Sequence, residues 1–305
     1  MTNSTILQRR FWHPRFWFIW MGLALVFVVI HLPHSWRIWC GSLLGKLGYY
    51  LAIDRRHVVD VNLSICFPKM SKVNRKKLNK RVFRSTGISI IETGLVWLRS
   101  PQRFQDLVEI EGLEHFEKAL EQKKGVILVG MHFSTLDFCA AILASYCKFD
   151  VMYRGNKNPL LDAVMTRGRI KNFSDAIERN DIRSVLKSLQ QGNAVWYGPD
   201  QDYGRTHSVF VPFFGHPTAT ISATSRLASI YKSPVILLSH YRLEDETSYQ
   251  ITLSKPLENF PSGDPILDAS RINREIEKAI EKAPEQYWWL HRRFKTPPLG
   301  ENRPY

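Results

Sequence analysis

The sequence predicts an α/β protein with a mostly parallel central sheet flanked by helices, preceded by an N-terminal hydrophobic membrane-anchor helix. Three observations predict it. Short, nearly continuous apolar runs such as GVILVGM (125–131) read as parallel strands buried on both faces. These runs alternate with longer stretches of helical periodicity, the pattern of a sheet covered by helices. Residues 1–53 contain no Asp or Glu, and the 21 residues between Arg15 and Arg37 carry no formal charge.

The anchor comes first. An α-helix from Phe16 to Leu32 would extend about 25 Å, close to the roughly 30 Å of a hydrocarbon core. Trp12, Trp17, Trp20, Trp36 and Trp39 lie toward its two ends, where indoles prefer the headgroup interface. A cleaved signal peptide is disfavoured because HLPHSW offers no small-x-small cleavage site. Both flanks are basic, so the positive-inside rule favours the cytoplasmic side for both. A shallow or interfacial anchor would satisfy that, with IWCGSLLGKLGYYLAI (38–53) along the surface beside it. Whether the segment spans or lies in the interface, the large basic domain is expected to face the anionic cytoplasmic leaflet of an inner membrane. Residues 1–53 are therefore expected to form the anchor and interfacial segment, and residues 54–305, which contain no repeat or low-complexity linker, one catalytic domain.

Within that domain, Ser71 to Arg99 reads as a helix, basic at first and then apolar. Candidate strands are VEIEG (108–112), 125–131, FDVMYR (149–154), AVWYGP (194–199), SPVILLSHYRL (233–243) and YQITLS (249–254). Helical patterns run from Leu113 to Lys123, Ser134 to Tyr146, Pro159 to Lys171, Asp181 to Gln191, Ser222 to Tyr231 and Leu267 to Lys282.

Composition limits the function classes. Over 305 residues, a 44% hydrophobic content and 12% aromatic content exclude intrinsic disorder, a collagen-like repeat and a polytopic membrane protein. The four cysteines, Cys40, Cys66, Cys139 and Cys147, have no C-x-x-C spacing; they indicate a reducing compartment and exclude a zinc ribbon. The net charge of +14 suits acidic partners or anionic lipid. It also admits a membrane-tethered nucleic-acid-binding protein, although no nucleic-acid-recognition signature is present, so no nucleic-acid partner is expected.

The chemistry concentrates where the strand 125–131 meets a helix. His132 stands at the strand end and Asp137 five residues on, the end of an open α/β sheet at which ligands bind. A neutral imidazole can take a proton from a hydroxyl, and a carboxylate on its other nitrogen sets the tautomer and stabilises the imidazolium. Backbone N–H groups of the adjacent helix N-terminus could then face an oxyanion. The plain structural alternative is a capping box, Ser134-x-x-Asp137. A second copy of the spacing, His240 to Asp245, falls in the charged stretch HYRLEDETS and is expected to be a surface turn. No G-x-S-x-G elbow occurs, so no covalent acyl-enzyme is expected.

The strand followed by H-x-x-x-x-D resembles the glycerolipid acyltransferases. HPRFW (13–17), NLSICFP (62–68), YRGNKNPLLD (153–162), WYGPDQDYG (196–204), VFVPFFG (209–215) and APEQYWWLHRRFKTPP (283–298) resemble the late acyltransferases of lipid A biosynthesis in Gram-negative bacteria, nearest the lauroyl type. The resemblance covers nearly the whole chain. It implies transfer of a fatty acyl group from acyl carrier protein to a hydroxyacyl chain of (Kdo)2-lipid IV(A), at the inner membrane, with no metal or other cofactor; myristoyl- and palmitoleoyl-transferring relatives are the alternatives. By position His132 resembles the general base, Asp137 its orienting acid and Arg169 an arginine near the reaction centre. Several lauroyl-type members carry Glu where this chain has Asp137. Asp200 and Asp202, with Tyr203 beside them, stand where glycerolipid acyltransferases carry a phosphate-binding block, and suit hydrogen bonding to sugar or hydroxyl groups of the acceptor; a plain polar turn is the alternative. Arg292 and Arg293, beside Trp288 and Trp289, fit a membrane surface and lipid phosphates, the plain alternative being a C-terminal segment packed on the sheet edge with solvated charges.

Overall fold

The computed structural model describes residues 6 and 8–305; residues 1–5 and 7 of the expected anchor segment lie outside the described residues. Nine strands are present among them: β1 (Val108–Glu111), β2 (Val126–Gly130), β3 (Asp150–Tyr153), β4 (Ala176–Glu178), β5 (Ala194–Tyr197), β6 (Ser208–Phe213), β7 (His216–Ile221), β8 (Val235–Arg242) and β9 (Tyr249–Leu253). Seven form one sheet in the order β1-β9-β8-β2-β5-β3-β4, and β6 and β7 make a separate antiparallel hairpin. Every neighbour pair of the large sheet is parallel except β8 with β9. The mostly parallel sheet is as expected.

Ten α-helices surround it: α1 (Trp17–Val29), α2 (His34–Leu51), α3 (Ile53–Cys66), α4 (Lys72–Leu98), α5 (Leu113–Glu121), α6 (Leu136–Leu143), α7 (Pro159–Asn172), α8 (Ile182–Gln190), α9 (Ala223–Tyr231) and α10 (Pro265–Lys282). All five residues of β2 are buried, because its pleat feeds two cores. Ile127 and Val129 pack with Val185, Ile276 and Trp289 on one face. Val126 and Leu128 pack with Phe116, Phe138 and Leu95 on the other.

The anchor departs from expectation. The apolar run is not one helix through Leu32: α1 has 13 residues, about 20 Å at the usual rise. The chain then turns, and Pro33, which lacks an N–H, becomes the N-cap residue of α2. No helix among the described residues is long and apolar enough to cross a membrane. Instead α1 and α2 lie along the 27-residue α4. A Cβ on Gly45 would stand 2.3 Å from the Phe83 carbonyl oxygen, and one on Gly87 2.2 Å from that of Gly41, so the α2 and α4 backbones touch. Farther along α4, Gly94 receives the side chain of Val26.

On its other side α4 is bolted to the sheet by a buried charge network. Glu92 accepts hydrogen bonds from Arg242 Nε and Nη2, both at 2.8 Å, and from the Tyr249 hydroxyl at 2.5 Å. Both charged side chains are almost wholly buried. Removing one partner of such a pair strands the other, typically at a cost of about 3–5 kcal/mol.

Candidate active site

The site is built where two neighbouring parallel strands stop. In the β2–β5 register Val129 faces Tyr197; three residues beyond each stand His132 and Asp200, so sheet pairing alone brings them together. The Asp200 carboxylate grips His132 twice, accepting from its backbone N–H at 2.8 Å and from ring Nδ1–H at 2.5 Å. Asp200 itself is buried, whereas the His132 side chain keeps 24% exposure. Nδ1–H pointing at the carboxylate leaves the lone pair on Nε2. Gly198 makes room for the ring, since a Cβ there would lie 2.7 Å from His132 Cε1.

The C-terminal segment holds the His132 loop from the opposite side. Trp288 N–H donates to the His132 carbonyl at 2.8 Å, Ser134 N–H donates to the Gln286 carbonyl at 2.6 Å, and Phe133 forms a β-bridge with Tyr287. The Gln286 side chain is clamped in turn, accepting from Arg242 N–H and donating to the Arg242 carbonyl. The Tyr287 hydroxyl donates to the Asp200 carbonyl at 3.2 Å. Strand ends, β8 and C-terminal segment therefore set one loop.

Electrostatics favour a poised imidazole. Burial pulls the His132 pKa down, but the Asp200 charge and hydrogen bond, with Asp137 behind them, outweigh it, and the net shift is upward from 6.5. Burial would raise Asp200, but contact with His132 holds it below its usual value. Asp137 moves up, burial outweighing the opposing pull of Arg169 and His132.

The expected roles are thereby redistributed. Asp200, expected at the acceptor, is the hydrogen-bond partner of His132, and Asp137 is a second carboxylate within electrostatic reach of His132 and Arg169. The capping-box alternative for Asp137 is not realised. Thr135 is the N-cap of α6, Ser134 Oγ pairs with Ser85 Oγ at 2.7 Å, and Asp137 makes no side-chain hydrogen bond among the described residues. The N–H groups of residues 132, 133, 134 and 136 are all taken up within the protein. Arg169 is half-buried on α7 with its guanidinium 5.4 Å from the Tyr153 ring centroid, and its charge pulls the Asp137 pKa down.

Other expected residues serve the scaffold. Asp202 is buried and accepts from Gly204 N–H, Thr296 N–H and Thr296 Oγ, fastening the C-terminal segment. Its own N–H donates to His291 Nε2, and burial pushes the His291 pKa down to about 4. The Tyr203 hydroxyl donates to the Gly198 carbonyl at 2.8 Å. Arg293 corrects the lipid-phosphate expectation: it is 2% exposed, donating to the Ala219 carbonyl and Thr220 Oγ1. Arg292 is exposed. His240 corrects the surface-turn expectation. It is a wholly buried β8 residue whose Nδ1 contacts Thr135 Oγ1 at 2.9 Å, while Asp245 does lie exposed in a turn. No group of three or more His, Cys, Asp or Glu side chains among the described residues could hold a metal ion.

An α/β sheet thus carries at its strand ends a histidine held by a carboxylate, an arrangement chemically able to take up a proton at Nε2. The family model for bacterial lipid A biosynthesis acyltransferases matches residues 5–296. The chain is 38% identical to the lipid A biosynthesis lauroyltransferase of Escherichia coli K12, covering 98% of each chain. It is 35% identical to the palmitoleoyltransferase of the same strain, covering 98% of this chain and 97% of that one. Identity to that strain's myristoyltransferase is 30%, covering 98% and 93%. The chain belongs to the lipid A biosynthesis acyltransferases, and it is an acyltransferase.

Proposed function

We propose that this enzyme moves a fatty acyl group, lauroyl in the first instance, from the thioester of acyl carrier protein to a hydroxyacyl chain of (Kdo)2-lipid IV(A), at the cytoplasmic face of the inner membrane. His132 is the general base. Its Nε2 takes the proton of the acceptor hydroxyl as the oxygen attacks the thioester carbon; a C–O bond forms, the C–S bond breaks, and the proton passes from His132 to the leaving sulfur. Asp200 holds Nδ1–H and stabilises the imidazolium, and Arg169 meets the negative charge that develops on the carbonyl oxygen.

The observation that carries the reading is the double grip of Asp200 on His132, which orients the ring with Nε2 outward. A thioester is already activated, so deprotonation, positioning and charge stabilisation suffice. The somewhat higher identity to the lauroyltransferase than to the palmitoleoyl- and myristoyltransferases supports the lauroyl donor. Mass spectrometry of lipid A from cells with and without the gene tests it. The expected result is lipid A lacking one laurate ester. Loss of palmitoleate or myristate instead would overturn the chain-length assignment, and unchanged lipid A would overturn the function.

A further inference from the structure

Beyond Asp200, the same edge of the sheet carries two arginines that no carboxylate of the protein neutralises. Tyr153 is in register with Glu178, and the Arg179 N–H donates to the Tyr153 carbonyl at 2.8 Å. The β3–β4 ladder thus continues one residue past both strands and sets Arg154 beside Arg179. Side chains alternate along a strand. Met152 and Ile177, also paired in register, both pack into the core around Val185 and Trp289, so Arg154 and Arg179, two residues on, fall on that same face. Tyr153 faces the other way, where its ring meets the Arg169 guanidinium.

Both cations are left open. Arg154 is exposed and Arg179 half-buried, and neither forms a salt bridge among the described residues. Arg179 Nε is buried without a hydrogen-bond partner among them, a donor whose desolvation is costly unless something accepts from it. The carboxylates nearest in sequence are engaged elsewhere: Asp162 accepts from Asn156 N–H, Glu178 from Asn180 N–H, and Asp181 from Ser184 N–H at the start of α8. The chemistry is close by. β3 and β4 stand second and third from β2 in the sheet, about 10 and 14 Å from it at the usual strand spacing. The Arg179 charge also reaches the Tyr203 phenol, which donates to the Gly198 carbonyl two residues before Asp200.

We propose that Arg154 and Arg179 form a phosphate subsite of the active site. Guanidinium forks pair with phosphate oxygens two at a time, and two of them side by side match the nearly double charge of a phosphate monoester. A phosphate oxygen accepts from Arg179 Nε and completes its hydrogen bonding. On the acyl-transfer reading, on which only the source of the phosphate rests, two substrates carry one: the lipid acceptor on its sugar, and the carrier protein on the pantetheine arm that bears the thioester. Either phosphate, anchored there, fixes how far its substrate reaches toward His132.

Steady-state kinetics of the full chain test the subsite. Arg154→Gln and Arg179→Gln should each raise KM for one substrate at least about ten-fold, as loss of a charge-assisted contact does, with an unchanged melting temperature. If the acceptor supplies the phosphate, its KM rises, wild type loses the same factor on phosphatase-treated acceptor, and the variants lose nothing further on it. If the carrier supplies it, KM for lauroyl-acyl carrier protein rises, and wild type loses the same factor with lauroyl-pantetheine against lauroyl-phosphopantetheine. Both KM values within about three-fold of wild type, or a loss equally large on phosphate-free substrates, overturn the proposal. Inorganic phosphate gives a test without acyl transfer. At constant ionic strength it should raise the melting temperature of the wild-type chain more than that of the Arg154→Gln, Arg179→Gln double variant; an equal response in both overturns the subsite. A wild-type chain that transfers no acyl group but shows this difference refutes the acyl-transfer reading and leaves the phosphate subsite standing.

Discussion

Replacing Asp200 with Asn keeps size and shape but cannot keep both contacts to His132. The carboxylate offers one oxygen to the backbone N–H and the other to Nδ1–H; an amide offers a single acceptor oxygen. If its NH2 faces the ring, Nδ1 must accept, the proton moves to Nε2, and the base is lost. If its NH2 faces the backbone N–H, two donors collide and the loop shifts. Either route removes general-base catalysis, about 10²–10⁴-fold in turnover, or roughly 2.7–5.4 kcal/mol of barrier at 1.36 kcal/mol per decade. The charge is lost as well. In the wild-type enzyme kcat/KM should rise with pH through a pKa above 6.5, because Asp200 and Asp137 overcome the effect of burial on His132. In Asp200→Asn the acid limb of the residual activity should move to lower pH, since burial is then opposed by Asp137 alone. Initial rates of acyl transfer over a pH series, with melting temperatures in parallel, measure both effects. An Asp200→Asn enzyme within about three-fold of wild type, with an unmoved acid limb, would refute the assignment.

Arg169→Ala should lose at least about ten-fold in kcat/KM, because a charge-assisted contact contributes roughly 1.5–3 kcal/mol; steady-state kinetics check it. Arg293→Ala should lower stability by about 1.5–3 kcal/mol through the lost bonds to Ala219 and Thr220, while Arg292→Ala stays within about 0.5 kcal/mol in urea titrations. His240 gives a pH signature. Burial first, then the nearby His132, depress its pKa to about 3, so between pH 6.5 and 3 the unfolded chain takes up a proton that the folded one refuses. Stability should therefore fall with acidification in that window by up to about 1.4 kcal/mol per pH unit. His291, at about 4, adds in the same direction. His240→Gln should remove its share of that slope, and urea titrations with equal slopes in both proteins would contradict it.

What the sequence made legible was local. VILVG shows a buried parallel strand by composition, and the helix expected from Pro159 does begin there as α7, with the Asn158 side chain accepting from Leu160 and Leu161 N–H. The hairpin of β6 and β7 was missed because Pro212 and Pro217 argue against strands. Here they face each other in a two-stranded ribbon outside the main sheet, turned at Phe214 and Gly215, both at positive φ. α3 was missed because its mixed sequence IDRRHVVDVNLSIC shows no single dominant pattern.

The site was half legible. His132 announces itself at a strand end, but its pairing with Asp200 depends on β2 lying beside β5, a long-range fact that no local window contains. A sequence signal did exist: WYGPD places Asp200 beyond its strand much as GMH places His132 beyond its own. Arg293 was misread because a basic and aromatic cluster looks like surface until its partners, two β7 residues, are known. His240 was misread because the charge of LEDETS begins only after β8 ends.

The central claim is that His132, held by Asp200, deprotonates the acceptor hydroxyl. The most direct test is transfer by purified enzyme from lauroyl-acyl carrier protein to tetraacylated, Kdo-bearing acceptor, followed by product mass, for wild type and a folded His132→Ala variant. The account predicts one added laurate ester with the wild type and a rate lower by about 10²–10⁴-fold with His132→Ala. Transfer by His132→Ala within about three-fold of the wild-type rate would contradict it.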